Sequence, residues 1–567
     1  MRLASTSRSV LLAAAALALA WNLGGHRLLD PDEGRNAEVA REMAATNDYV
    51  VPHLDGLPYL DKPVLYFAAA AATMEALGPG ETAARLPALL ATLATIALVV
   101  WFARRRWGHA AGWVAGLALA TMPMVAAYAR TTIFDSTLSL FTTTAIVCFV
   151  VERPVLAWAA IGAGGLTKGP IAILIPLAAL IPYALLTGLP LRRLFPWRGL
   201  LAFALVALPW FFAVTARIPE FPHYAFVRET FERVTTRGFH RTAPLWYYLP
   251  ILPVAAFPWI VPALSRFRTG GVRWAWLARK VNVNAHEPLL LASWVLGPLA
   301  FFTLNQSKLP QYVLPLMPAL ALAAARSLTQ GGAFSGWKTY VAWAVAFAAA
   351  LGSVTLWLPH SIPLTAAEQA AIPFAARALA VALLVSAAFV AWGARRASLD
   401  LAAAGYAIVV MALPFAIAGL LRAVGDDRSA YGLAAAVRDR GAVVAVAAYP
   451  PSLPFYLGQP LPVATAHARE LTSNFIADYV DHYRTVPGSP LLPADAWRDR
   501  LAHCSEPTIF VVRGGDQDAR AALSTLPLLF EDGHYAAYGP CTAHASSLKS
   551  AIPNPQSPMA GHGEGGG

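Results

Sequence analysis

The stretch "DEGRNAEVAREM" (32–43) sets two adjacent carboxylates, Asp32 and Glu33, just ahead of the guanidinium of Arg35, directly after the first apolar run of the chain. Further on, "HLDGLPYLDKPVLYF" (53–67) adds Asp61 and Lys62 in front of Pro63 and another apolar stretch. Carboxylates at such a boundary can act as general bases or as ligands for hard cations, whereas Arg and Lys suit phosphate oxygens. Three more ionisable residues fall at the ends of apolar runs: Asp135 in "TTIFDSTLSL", Lys168 in "GLTKGPIAIL" and Lys308 in "NQSKLPQYVLPLMPAL". Charges beside apolar spans are costly and are therefore functional candidates, although a lysine there can also snorkel to the interface. His240, in "TTRGFHRTAP", is a further candidate, set against the plain reading of a solvated loop histidine. Bases, hard-cation ligands and phosphate-binding cations at one boundary suit chemistry on a lipid-linked phosphate, whose head group lies at that depth.

Elements must hold these groups in place. Asp30 is placed to cap a helix whose first position is Pro31, and Glu33 stands where a capping-box acid would be. Ala37, Ala40, Met43 and Ala44 form a helical stripe, so the segment reads as a helix lying along a membrane surface. Capping and the helix dipole alone would account for its acids. Only the company of Asp61, Lys62, Asp135, Lys168 and Lys308, expected to converge on one face, favours a working site.

The whole chain is built for lipid. Of its 567 residues 57% are hydrophobic and 13% charged, against about a quarter charged in soluble domains, and its mean hydropathy is +0.51. Apolar runs near the length that crosses about 30 Å of hydrocarbon recur up to about residue 421. They predict thirteen helices, near 9–25, 83–103, 110–129, 133–151, 155–167, 170–187, 199–216, 245–264, 288–305, 310–326, 338–358, 372–393 and 398–421. The net charge of +11 sits in short loops: Arg104 to Arg106; Arg192 and Arg193; Arg266 through Lys280; Arg395 and Arg396. Such loops stay cytoplasmic, so topology explains the charge and no nucleic-acid partner is expected. The first run, with Arg2 and Arg8 ahead of it, reads as an uncleaved first helix, with a cleavable signal peptide as the alternative.

With the N-terminus inside, the segments 26–82 and 217–244 and everything after 421 lie outside. Residues 1–424 form the transmembrane domain. "GAVVAVAAYP" and "PTIFVVRGG" read as strands and "LTSNFIADYVDHYR" as a helix, which predicts a small α/β periplasmic domain at 425–542. The tail 543–567 is too poor in apolar residues to fold. Three cysteines are too few for a disulfide framework; Cys504 and Cys541 could pair if their region is periplasmic.

Taken in order, "DEGRNAEVAREM", "DYVVPHLDGLPYLDKPVLYF", "FDSTLSLF", "GLTKGP" and "SKLPQYVLPLMPALAL" resemble the bacterial aminoarabinose lipid A transferases and the wider protein O-mannosyltransferase family of C-type membrane glycosyltransferases. The resemblance covers about residues 10–330. It implies an all-α polytopic fold of about thirteen transmembrane helices and transfer of a sugar from an undecaprenyl-phosphate-type donor with inversion. The acceptor it implies is lipid A or another envelope acceptor on the periplasmic side of the inner membrane. It assigns Asp32 and Glu33 as catalytic, and Arg35, Lys62, Tyr312, Lys168 and Lys308 as donor-phosphate ligands. Asp135 is a polar acceptor-side or structural residue, and Asp61 and His240 are candidate ligands for a divalent metal cation of unspecified identity. No organic cofactor is expected, and the chain is expected to act as a monomer among membrane lipids. Two departures bear on sugar and acceptor. Gly34, Arg35 and Asn36 stand where the aminoarabinose transferases commonly have Thr-Arg-Tyr, and Asp61, Lys62 and Pro63 where they have Glu-Lys-Pro. A transfer to a hydroxyl acceptor is the neighbouring alternative. A lipid transporter or flippase is the competing class, and it predicts broken helices at the midplane and repeat symmetry, which is not evident here.

Overall fold

The computed structural model describes residues 5–232, 243–269, 286–330, 336–357 and 364–541. The chain divides into two compact units, Met1–Leu54 with Pro58–Ser429, and Asp55–Leu57 with Ala430–Gly567. The predicted tail 543–567, and the basic positions Arg273, Arg279 and Lys280, lie outside the described residues.

The first unit is helical. Among the described residues, six helical segments are long and apolar enough to cross a membrane: Glu81–Trp107, Leu191–Arg217, His286–Leu304, Pro310–Gln330, Ala366–Arg395 and Leu399–Ala416. Shorter apolar helices stand among them, including α1 (Ser5–Ala20), α3 (Leu65–Leu77) and α5 (His109–Ala120). The thirteen expected runs are met by these six long segments, by the 21-residue helix Trp337–Trp357, and elsewhere by shorter or interrupted helices. The run expected at 110–129 breaks into α5 and α6 (Pro123–Tyr128), because Pro123 has no N–H to continue the ladder and starts a new helix instead. The run at 245–264 divides around Phe257-Pro258 into Tyr248–Ala255 and Ile260–Thr269. α4 (Glu81–Trp107) keeps its length: Glu81 in its first turn and Arg104 to Arg106 in its last complement the helix dipole, and Gly108 at φ 88° ends it.

The predicted external segment 26–82 is more structured than a loop. It holds α2 (Asp32–Thr46), a hairpin of β1 (His53–Leu54) and β2 (Leu57–Pro58), and α3. Asp55 and Gly56, both at positive φ, form the tight turn between the two strands. Two expectations for α2 are overturned. Asp30 does not hold the cap position: the helix starts at Asp32, and Pro31, which has no side-chain cap bond, stands there. Nor does α2 lie open on a membrane surface. Asn36, Glu38 and Glu42 are buried along with Ala37, Ala40 and Met43, so protein encloses the polar faces as well as the apolar stripe. Its charged positions are partnered within the protein, as when both Glu38 oxygens accept from Arg41 at 2.7 Å.

The second unit is the expected α/β domain, beginning at Ala430. Its sheet runs β5 (Leu491–Leu492), β4 (Val463–Ala464), β3 (Ala442–Val446), β6 (Thr508–Arg513), β8 (Tyr535–Cys541), β7 (Leu528–Glu531). The first four are parallel, and the β6–β8–β7 edge is antiparallel. β3 and β6 read as continuous apolar runs because they are central and covered on both faces. The helix expected over "LTSNFIADYVDHYR" is two short ones, Asn474–Asp478 and Val480–Arg484, divided at Tyr479. Cys504 and Cys541 are disulfide-bonded across 37 residues of sequence.

Candidate active site

α7 (Asp135–Val150) and α8 (Pro154–Lys168) are packed neighbours joined by the short turn 151–153. Each rises about 24 Å, so the chain goes out along α7 and returns along α8. The first residue of one and the last residue of the other therefore meet. Asp135 and Lys168 are these residues, with Nζ 2.6 Å from Oδ1. An acid at a helix N-terminus and a base at a C-terminus are each favoured by the helix dipole. Gly169, at φ 70°, then makes the turn into α9 (Ile171–Thr187), a backbone angle at which a side chain would be strained.

Tyr312 arrives from a different part of the chain, in the 3-10 turn Pro310–Leu316, where its ring packs against Phe302 at 5.4 Å. Lys168 Nζ lies 5.1 Å from the centre of that ring, a cation–π distance. Lys62 comes from the loop between β2 and α3, its ammonium donating to the Asp61 carbonyl, and Tyr224 donates its hydroxyl proton to the Asp61 carboxylate. Asp61, Lys62, Asp135, Lys168 and Tyr312 share the wall of one cavity of about 180 Å³, the rest of which is largely apolar, as at Leu174 and Ile175. A small chamber with two ammonium groups, two carboxylates and a phenol in an apolar surround is suited to an anionic head group carrying a greasy tail.

The start of α2 forms a second cluster. Arg35 donates to Asp32 Oδ1 at 2.6 Å and stacks 5.9 Å from the Tyr59 ring. Burial works against its charge, yet Tyr59, Asp32 and Asp61 outweigh burial and hold the guanidinium protonated more firmly than usual. Asp32 keeps 45% of its side chain exposed, so it remains reachable by a substrate; Glu33 keeps 2%. Arg35, expected on the donor phosphate, is therefore placed on Asp32, with Asp61 as its electrostatic link to the cavity.

Glu33 stands apart from its neighbour. Its carboxylate accepts from Arg85 Nε at 2.9 Å and Nη2 at 2.8 Å, and from the backbone N–H groups of Leu29 at 3.1 Å and Thr132 at 2.9 Å. Arg85 also donates to the carbonyls of Leu23, His26 and Arg27. Burial opposes the charge on Glu33, but the Arg85 guanidinium and its hydrogen bonds prevail and hold the carboxyl below its ordinary range. Burial, reinforced by Arg85, keeps the nearby His26 imidazole below its own usual value. Asn36 Nδ2 donates to the Thr132 carbonyl at 2.8 Å, so α2 holds both the backbone N–H and the carbonyl of Thr132, three residues ahead of Asp135. Glu33, expected to be catalytic, is thus a saturated anchor that fixes α2 against α4 and against the start of α7. Arg85 was missed by the sequence reading; its signal was a charged residue one turn into a long apolar helix.

Lys308 is also drawn away from the cavity. Its ammonium donates to the carbonyls of Ala243 at 3.0 Å and Asn305 at 2.6 Å, which closes the turn leading into the segment that carries Tyr312. His240 lies outside the described residues. Among the described residues no three His, Cys, Asp or Glu side chains gather as a metal site, so Asp61 supplies a single carboxylate and does not by itself make a metal centre.

The family described as dolichyl-phosphate-mannose-protein mannosyltransferase matches residues 61–212. An undecaprenyl phosphate-alpha-4-amino-4-deoxy-L-arabinose arabinosyl transferase of Aeromonas salmonicida is 33% identical over 313 residues, 53% of this chain and 56% of that protein. Its counterpart in Yersinia enterocolitica is 31% identical over 343 residues, 58% of this chain and 60% of that protein. The chain thus spans somewhat over half the length of the curated relatives it matches. The crystal structure of ArnT from Cupriavidus metallidurans bound to undecaprenyl phosphate superposes with a TM-score of 0.80 at 27% identity, covering 95% of this chain and 99% of that one. The apo form of the same protein gives 0.77 at 28% identity, covering 97% and 100%. By sequence and by fold the chain is similar to these arabinosyl transferases and to ArnT, and over residues 61–212 it matches the family described as dolichyl-phosphate-mannose-protein mannosyltransferase.

Proposed function

We propose that the chain transfers a sugar, most simply aminoarabinose, from a polyprenyl-phosphate donor to lipid A at the periplasmic face of the bacterial inner membrane. The observation that carries this reading is that Lys62 and Lys168, from separate stretches of the chain, reach one apolar-walled cavity beside Tyr312. The similarity to a protein solved with undecaprenyl phosphate supports it. In this reading the chain acts as a monomer.

In this reading the donor phosphate sits between Lys62 and Lys168. Asp135 keeps the Lys168 ammonium in place, and the apolar wall receives the first part of the isoprenoid. The bond between the anomeric carbon and the phosphate oxygen breaks, its electron pair leaving on the polyprenyl phosphate. The two ammonium groups stabilise the charge as it develops, inside a site with largely apolar walls. The acceptor oxygen attacks from the opposite side and the configuration inverts. Asp32, exposed and oriented by Arg35, takes the proton if the acceptor is a hydroxyl. If the acceptor is a lipid A phosphate, already ionised near neutral pH, Asp32 acts by orienting it.

The test is the purified full chain supplied with polyprenyl-phosphate-linked aminoarabinose and lipid A. We expect free polyprenyl phosphate and a matching mass gain on lipid A. A donor that is never consumed overturns the reading. Donor consumption with the sugar delivered only to a hydroxyl acceptor moves the acceptor assignment to the neighbouring alternative.

A further inference from the structure

The arginine-rich end of the helical unit carries a groove that the proposed reaction does not use. It has a volume of about 800 Å³ and lies between α1 and α4. Leu12 and Ala16 of α1 face Leu93, Ile96 and Val100 of α4 across it, and Arg104, Arg105 and His109 stand at its mouth. The groove is open because small residues line it: Ala13 and Ala16 on one side, Ala97 on the other, and Ala120 at the base. Both helices pack instead on α5. Their approach there is close enough that a Cβ on Gly116 would meet Val100 Cγ2 at 2.3 Å and Leu12 Cδ1 at 3.3 Å. Arg104, Arg105 and His109 are exposed, and Trp101, 46% exposed, lies one helical turn below them, where an interfacial ring is favoured. Neither Arg104 nor Arg105 is ion-paired with another described residue.

An apolar trough of the size that holds small ligands, ending at the membrane boundary in two guanidinium groups with no ion-pair partner among the described residues, matches one chemistry. We infer that the groove between α1 and α4 binds an anionic phospholipid, with acyl chain along Leu12, Ile96 and Val100 and phosphate on Arg104 and Arg105. Guanidinium pairs bind phosphate oxygens in a fixed fork, which a zwitterionic head group with its own cation satisfies less well. The site is separate from the cavity at Lys62 and Lys168.

Native mass spectrometry of the full chain released from vesicles of equal phosphatidylglycerol and phosphatidylcholine tests this. Wild type is expected to retain phosphatidylglycerol several-fold over phosphatidylcholine. Arg104→Ala with Arg105→Ala should remove that preference while the protein stays folded. Ala97→Phe, which fills the trough and keeps both arginines, should displace the lipid. Arg192→Ala with Arg193→Ala, a basic pair outside the groove, should leave the preference intact. Equal retention of the two lipids by wild type overturns the proposal. So does loss of preference in the Arg192/Arg193 variant alone, or displacement of the lipid by inorganic phosphate.

Discussion

Replacing Glu33 by Gln separates anchoring from chemistry, because the side chain keeps its shape and loses its charge. The wild-type carboxylate accepts four hydrogen bonds, two from Arg85 and two from backbone N–H groups, and both members of the ion pair are essentially without solvent. In Glu33→Gln one oxygen becomes an NH₂ facing N–H donors, and the Arg85 charge is left buried without its counter-ion. Breaking one side of a buried pair costs about 3–5 kcal/mol, roughly a hundredfold or more in the opening equilibrium. Neutralising both partners, Glu33→Gln with Arg85→Met, is expected to cost less than the sum of the single changes, since no stranded charge remains. The assay pairs chemical unfolding of the purified chain with release of polyprenyl phosphate, both measured at a temperature where all variants stay folded. We expect a large loss of stability and a turnover defect that the double variant partly recovers. A Glu33→Gln protein of wild-type stability whose turnover falls a thousandfold would refute the anchoring argument and return Glu33 to the reaction.

Further predictions can be read from the same geometry. Lys62→Ala and Lys168→Ala should each weaken donor binding about 10- to 100-fold, the worth of a charged hydrogen bond, as measured by the donor KM, with folding retained; unchanged KM in both sinks the phosphate assignment. Asp32→Asn should lower turnover about 10²- to 10⁴-fold with a hydroxyl acceptor and much less with a phosphate acceptor, so the size of the defect reports the acceptor. Stability should decline with acidification in two stages. Both Glu33 and His26 have folded values below their usual 4.5 and 6.5, so each contributes fully above that value and is lost as pH falls through its folded one; acid unfolding scans check this, with Glu33→Gln lacking the lower stage. Reducing Cys504–Cys541 frees a 37-residue loop, for which chain entropy predicts a loss of about 4 kcal/mol, observable as earlier unfolding of the C-terminal unit under reductant.

Much of this protein is legible without coordinates. Hydropathy alone marks the helical region, because lipid demands long apolar stretches with their backbone bonds satisfied internally. Strand-like runs such as "AVVAV" and "TIFVV" mark the C-terminal sheet, because a strand covered on both faces must be apolar throughout. Charged residues at helix ends mark Lys62, Asp135 and Lys168 as candidates, since burying a charge near lipid needs a reason. What the sequence cannot carry is the partner of each charge. Asp32 and Glu33 are adjacent and chemically alike, yet a helical step of about 100° turns one toward solvent and the other toward Arg85. Arg35 and Lys308 carry the charge a phosphate ligand needs, but only the fold shows that Arg35 pairs with Asp32 and that Lys308 donates to the carbonyls of Ala243 and Asn305. Asp135 and Lys168 meet only because two antiparallel helices of matched length return the chain to its starting level. Residue type and spacing decide which groups are able to do chemistry. Only the packing of helices decides which of them face the same cavity, because that depends on contacts between segments that local sequence does not encode.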